Sequence, residues 1–280
     1  VSPAVAVQLP YFDEIIERLD NQPDSSLAVA FKQNVHWGYY VEPDAADDGT
    51  AGYIEAAKEM TRQVCRAAGV ADGQRVVDVG CGLGGAIAHM DASRSDCRFV
   101  GLNFDARQLG VARRLVTPAP SNEVRFVAGD ACALPFADRS FDVMTALECI
   151  FHFPSRSRFL EEVRRVLVPG ALLAITDFVL PAVFADHKDD LVAAHRSGSD
   201  FYGSNAPPIT GAEYRSVAAA AGIECIEDRD ITAQTVPTYA AMRRLYHEAR
   251  ILNGVRATYE LDEARKRGLL EYHLLVFRVP

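Results

Sequence analysis

Val76-Val77-Asp78-Val79-Gly80-Cys81-Gly82-Leu83-Gly84-Gly85 runs from an apolar, β-rich segment through an acid into glycines at alternate positions. That order fits a strand, a tight turn and the start of a helix, where backbone can come close to a small ligand. The acid carries as much information as the glycines. In a dinucleotide fold the same turn faces a pyrophosphate held at the positive end of the helix. A carboxylate at Asp78 would repel that anion and would suit a cationic ligand with an amino group. Asp78, together with the lack of an acid at position 103, argues against an NAD-type oxidoreductase.

Working outward, the pattern predicts strands at 75–79, 98–102, 123–128, 141–146 and 171–178, with helices at 84–91, 105–115 and 156–167 between them. Such alternation implies a parallel sheet wound on both faces. The run from Arg164 to Gly170 ends a helix with a Pro-Gly turn before the fifth strand. After Asp177 the alternation breaks. A polar stretch at 181–209 holds one expected helix near 187–196; a helix at 211–221, a strand near 223–231, two helices within 237–267 and a closing strand at 271–278 follow. Upstream lie an amphipathic helix at 11–19, the aromatic cluster Asn34 to Tyr40, an acidic loop at 42–52 and a helix at 53–68. The expectation is a single domain over 1–280. Its core spans about 70–180, 210–232 and 270–280, and its cap comes from 1–69, 181–209 and 233–269. The cap would cover the C-terminal edge of the strands, where ligands bind in open α/β sheets.

Each strand end offers candidates. Asn103, with Gln108 one turn on, can give a donor and an acceptor to ribose hydroxyls; alternatively Asn103 caps the following helix. Asp130 can accept from an adenine amine while the ring passes Ala131, or it is a turn residue. Glu148 and His152 follow the fourth strand, and His152 can act as a base near neutral pH or be a packed histidine between Phe151 and Phe153. Asp177 ends the fifth strand at the same edge and could orient that imidazole.

The net charge of -9 argues against a nucleic-acid backbone or an anionic membrane surface as partner. The chain shows no apolar run long enough to span a bilayer and no signal segment at its start. Its six cysteines, at 65, 81, 97, 132, 149 and 225, form no CxxC pair and read as reduced thiols of a cytoplasmic protein. No metal is indicated, since only Glu148 and His152 have ligand spacing, and only on a helix. Oligomeric state is open.

Asp78-Val-Gly-Cys-Gly-Leu-Gly84, Gly101-Leu-Asn103, Gly129-Asp130-Ala131 with Leu134-Pro-Phe136, Ser140-Phe-Asp142, Glu148, His152, Pro154 and Arg165-Val-Leu-Val-Pro-Gly170 together resemble a class I methyltransferase dependent on S-adenosylmethionine (SAM). The likeness covers roughly 72–180 and is more specific than any one motif. The cluster Asn34 to Tyr39 and the run Thr176-Asp177-Phe178-Val179-Leu180 resemble a narrower group, the small-molecule methyltransferases of natural-product pathways. That group includes the rebeccamycin and erythromycin-type sugar O-methyltransferases and the tocopherol methyltransferases.

The resemblance implies a Rossmann-like α/β fold, with a seven-stranded, mostly parallel sheet, helices on both faces and a helical cap. It implies SAM as cofactor and a small-molecule acceptor. Asp78, Gly80, Cys81, Gly82 and Gly84 would line its methionine part, with Leu147 contributing backbone. Asn103, Phe104 and Gln108 would meet the ribose, and Asp130 and Ala131 the adenine. Tyr39 or Tyr40 would close over the cofactor, where an aromatic face near a sulfonium gains roughly 0.5–2 kcal/mol. His152 would deprotonate an acceptor hydroxyl, with Asp177 or Glu148 steadying the charge. Where related sugar enzymes can carry two adjacent histidines, this chain has Phe151 before His152. C-methylation of an alkene through Glu148, N-methylation, and a methyltransferase fold used for cyclisation or binding stay open.

Overall fold

A computed structural model of the chain describes residues 9–32, 34–187, 200–203 and 206–280. Seven strands form one sheet: β1 (Arg75–Val79), β2 (Arg98–Asn103), β3 (Glu123–Ala128), β4 (Phe141–Leu147), β5 (Leu167–Val179), β6 (Glu224–Asp230) and β7 (Glu271–Arg278). Their order is β3-β2-β1-β4-β5-β7-β6, parallel throughout except that β7 runs antiparallel to β5 and β6. This is the expected Rossmann-like sheet.

Helices cover both faces. On one side lie α1 (Pro10–Asn21), α2 (Ser26–Phe31), α3 (Thr50–Ala67), α4 (Gly85–Ser93) and α8 (Thr232–Glu248); on the other lie α6 (Arg156–Val166) and α7 (Gly211–Ala220). Helix α5 (Ala106–Leu115) packs beside β2 and β3, and α9 (Leu252–Lys266) against α8. The helices α1, α2, α8 and α9 form the cap. The two-residue period of a strand divides side chains between the faces. Val76, Val143, Ala174, Tyr272 and Leu274 enter the core under α3 and α8; Val77, Met144, Ile175 and Leu275 enter the core under α6 and α7.

Local chemistry sets the helix starts. Ser155 accepts from the Arg158 amide to cap α6, whose Phe159, Leu160, Val163 and Val166 form the buried stripe. Thr210 and Glu213 make a reciprocal capping box on α7, and Asp105, not Asn103, caps α5. Two expectations shift. Strand β5 begins at Leu167, before the Pro-Gly pair, and its pairing with β4 jumps from Leu167 to Leu172, so the turn survives as an irregularity within the strand. Helix α2 was not anticipated: six residues are too short for a periodic signal. The helix expected near 187–196 falls outside the described residues, apart from a 3-10 turn ending at His187.

Candidate active site

The C-terminal ends of β1, β2 and β4 and the N-terminal segment meet around one crevice of about 710 Å³, open solvent at its mouth included. Asp78, Gly80, Cys81 and Gly82 line it from the turn after β1, Asn103, Phe104 and Gln108 from the end of β2 and the start of α5, and Leu147, Glu148, Cys149, His152 and Phe153 from beyond β4. Leu9, Tyr11 and Phe12 at α1, with Asn34, Val35 and His36, form the opposite wall.

The turn after β1 is held between two strands, with the Gly80 and Cys81 amides both donating to the Leu102 carbonyl. Gly80 has φ +73, and a Cβ there would stand 2.6 Å from Cys149, so the missing side chain lets the β4 loop close against the turn. Gly84 has another task. At φ +85 it starts α4, and a Cβ would press on Val116, Phe126 and Ala112. It serves helix packing and does not line the crevice.

Asp78 is buried and accepts from the Thr145 hydroxyl at 2.7 Å. Burial pushes its carboxyl up to about 7. Asn103 donates to Gln108 at 2.9 Å and accepts from the Asp105 amide, and the buried Gln108 side chain in turn supports the Asp105 carboxylate.

Glu148 sits just past β4 with φ +50, a left-handed conformation unusual for a non-glycine residue. Its Oε2 accepts from the Trp37 amide at 2.6 Å and the Tyr272 hydroxyl at 2.5 Å. The residue is half-buried and lines the crevice. That burial pushes its carboxyl up to about 8; the Tyr272 and Trp37 donors pull the other way, and the charge of Asp177 adds to the rise. His152 lies on a 3-10 turn, with Nε2 3.4 Å from the Tyr11 hydroxyl and its ring stacked on Tyr11.

Several expectations need correcting. Asp177 does not serve His152. Strand parity turns Asp177 to the face under α6 and α7, whereas Thr176 and Phe178 face the crevice side. There Asp177 accepts from Arg156 at 3.2 Å, from the Tyr214 hydroxyl and from the Phe178 amide, with no solvent exposure. Tyr39 and Tyr40 do not reach the crevice either. The segment 34–40 is an irregular strip whose amides are engaged from Trp37 on: Trp37 donates to Glu148, Gly38 to Thr238, Tyr39 to the Ala56 carbonyl and Tyr40 to the Gln234 carbonyl. These bonds pin both tyrosines against α3 and α8, and buried irregular backbone requires such partners. Asp130 is exposed beyond β3 with Oδ1 accepting from the Cys132 amide, and Ala131 packs in the core under α6; neither lines the crevice.

Sequence reasoning missed Tyr11, Phe12, Trp37 and Tyr272. The apolar stripe of the first helix could have flagged the first two. Trp37 acts through its backbone, which leaves no side-chain signal. His36, buried and bonded to Trp37 and Thr61, has its imidazole held down to about 4 by burial and stays neutral. The polar run Tyr202-Gly203-Ser204-Asn205 suggests from sequence a border of the acceptor pocket, and of it Ser204 and Asn205 lie outside the described residues. Tyr202 packs edge-on against Tyr11 at 5.6 Å. Among the described residues no cluster of three metal-ligating side chains occurs, and no helix is long and apolar enough to cross a membrane. All six cysteines are free thiols.

The model of the methyltransferase domain family matches residues 77–175. Methyltransferase GfsG of Streptomyces halstedii is 34% identical over 223 residues, 79% of this chain and 77% of that protein. The 27-O-demethylrifamycin SV methyltransferase of Amycolatopsis mediterranei is 28% identical over 257 residues, 89% of this chain and 90% of its own. The solved structure of the (4+2)-cyclase SpnF shares the fold with a TM-score of 0.73 at 21% identity, covering 98% of this chain and 95% of that one. The chain belongs to the class I SAM-dependent methyltransferases. It is an enzyme, and SAM is its cofactor.

The crevice fits that cofactor. Among the described residues Asp78 is a buried acid with no cationic partner and suits an ammonium, and the buried Asn34 Oδ1, without a hydrogen-bond partner there, suits a donor on the ligand.

Proposed function

We propose that this enzyme methylates a hydroxyl of a small secondary metabolite or sugar, with His152 taking the hydroxyl proton. The observation that carries this reading is the imidazole at the crevice wall with a hydroxyl, that of Tyr11, already within 3.4 Å of Nε2. An acceptor hydroxyl in the same place would meet the same nitrogen. The relative named for 27-O-demethylrifamycin SV supports an oxygen acceptor in natural-product chemistry.

Bound SAM would supply an electrophilic methyl group, carried on a sulfonium, to the acceptor oxygen. The chain's own contribution is placement and proton removal. Asp78, Gly80, Cys81, Gly82 and Leu147 would hold the methionine end, and Asn103, Phe104 and Gln108 the ribose. Leu9, Tyr11 and Phe12 close the wall and keep water from the reacting pair. A placed base adds typically ~10²–10⁴-fold to the rate. With Asp177 on the far face, Glu148 is the carboxylate left to steady a charged His152.

The test is turnover against a panel of hydroxylated, amine and alkene acceptors, with the position of the new methyl group read by mass spectrometry and NMR. Methyl on oxygen is expected. His152→Ala should cut turnover by about 10²-fold or more while SAM affinity stays near normal. Methyl on carbon would overturn the reading and move the proton-taking role to Glu148.

A further inference from the structure

Glu148 is an expensive residue to keep. It is held in a left-handed backbone conformation, is half-buried at the crevice, and forms no ion pair with a lysine or arginine among the described residues. A buried carboxylate without a cation is strongly disfavoured unless a ligand supplies the charge. Both donors on it use the same oxygen, Oε2, while the residue lines the cofactor crevice. The donors come from different parts of the chain. Tyr272 belongs to the sheet and also bonds Thr176, which in turn accepts from the Glu148 amide. The Trp37 amide belongs to the N-terminal segment that walls the crevice.

We propose that Glu148 distinguishes the sulfonium cofactor from its thioether product, S-adenosylhomocysteine, and passes that difference to the N-terminal wall through Trp37. With a sulfonium in the crevice the carboxylate is ionised, and hydrogen bonds to an ionised oxygen are roughly twice as strong as neutral ones. The wall is then gripped at Trp37. With the thioether product in the crevice, after any proton held on His152 has gone to solvent, the Glu148 carboxylate would take up a proton from solvent and its grip on Trp37 would weaken. This inference rests on SAM as the cofactor and is independent of which acceptor atom is methylated.

The other ionisable groups around Glu148 leave its response readable. Tyr11 from α1, Tyr53 from α3, Tyr239 from α8, Tyr202 and Tyr272 are all pushed up by burial and stay neutral. Burial likewise keeps the Cys149 thiol and the His36 imidazole neutral. Asp177 is paired with Arg156 across the sheet. Asp78 and His152 share the crevice. Asp78 meets an ammonium that cofactor and product both carry, so its proton is common to both ligands and cancels between them.

The experiment is titration calorimetry of the whole protein with SAM and, separately, with S-adenosylhomocysteine, near pH 7 in buffers of different ionisation enthalpy. SAM should release about one proton per site more than the product does, because a unit charge close by lowers the carboxylate's proton affinity strongly. The chain has a single tryptophan, Trp37, so its emission reports the wall directly. It should shift more with SAM than with the product. Glu148→Gln should abolish both differences. Tyr272→Phe keeps the ring that packs 4.9 Å from Phe178 and removes one donor, so it should move the proton difference to higher pH. Equal proton release for the two ligands, or a difference that survives Glu148→Gln, would overturn the proposal. Should Glu148→Gln not fold, an unmoved proton difference in Tyr272→Phe overturns it as well.

Discussion

Asp177 on β5 and Glu148 just past the neighbouring β4 sit at the C-terminal edge of the sheet, each in contact with a buried tyrosine hydroxyl, Tyr214 for one and Tyr272 for the other. Asp177 adds Arg156 and the Phe178 amide and is sealed from solvent. Glu148 adds only the Trp37 amide and opens on the crevice. A carboxylate that has its cation within the fold does structural work, fixing α6 and α7 to β5. One whose cation is missing from the fold is suited to respond to a ligand. The same residue chemistry thus takes two roles according to the sheet face it reaches.

Removing Asp177 should give the largest effect. Asp177→Ala leaves the Arg156 guanidinium buried without its partner, and breaking a buried pair in this way costs about 3–5 kcal/mol. Urea unfolding of wild type and variant measures it. A variant that keeps wild-type stability yet loses turnover would place Asp177 in the chemistry and erase the contrast with Glu148.

That contrast was only partly legible in the amino-acid sequence. The turn from Val76 to Gly85 could be read because its information is local: strand, acid and alternating glycines follow one another, and the structure places Asp78, Gly80, Cys81 and Gly82 in one wall. Strand boundaries at 75–79, 123–128 and 271–278 are legible for the same reason. Asp177 was drawn to His152 because both lie near the same edge. Parity along Thr176-Asp177-Phe178 decides otherwise, and edge position alone does not show which face a side chain takes. Trp37 was beyond reach: what it gives Glu148 is an amide, which every residue but proline has. The pinning of Tyr39 and Tyr40 depends on α3 and α8, which are remote in the chain, so local pattern could not show that α1 supplies the wall instead.

Glu148→Gln should have a smaller and pH-dependent effect, and its sign sharpens the contrast. The folded carboxyl titrates at about 8, above its unfolded value. Between the two values the native state holds a proton that the unfolded state has lost. Stability from this group is therefore full below the unfolded value and declines as pH rises towards 8, by about 1 kcal/mol per pH unit. Glutamine does not titrate, so thermal melts of the ligand-free variant between pH 6 and 8 should lose less stability than wild type. Parallel curves for the two proteins would mean that Glu148 is already charged when the crevice holds no ligand.

Tyr40→Phe should change least. Like Tyr214 and Tyr272, Tyr40 is a buried tyrosine, and burial raises its hydroxyl to about 12. Its hydroxyl lies beside the neutral Thr238 hydroxyl, where theirs bond carboxylates, and the residue lies outside the crevice. Its place is held by its amide on the Gln234 carbonyl, which phenylalanine keeps. Thr238 keeps its bond from the Gly38 amide when the hydroxyl is removed, so stability should stay within about 1 kcal/mol of wild type. SAM affinity, read by the same calorimetry, should be unchanged. A clear loss of affinity would show that the segment around Tyr40 swings over the cofactor when it binds. The wall would then be built by that movement as well as by α1, and the hold of Glu148 on the Trp37 amide would lie at its hinge.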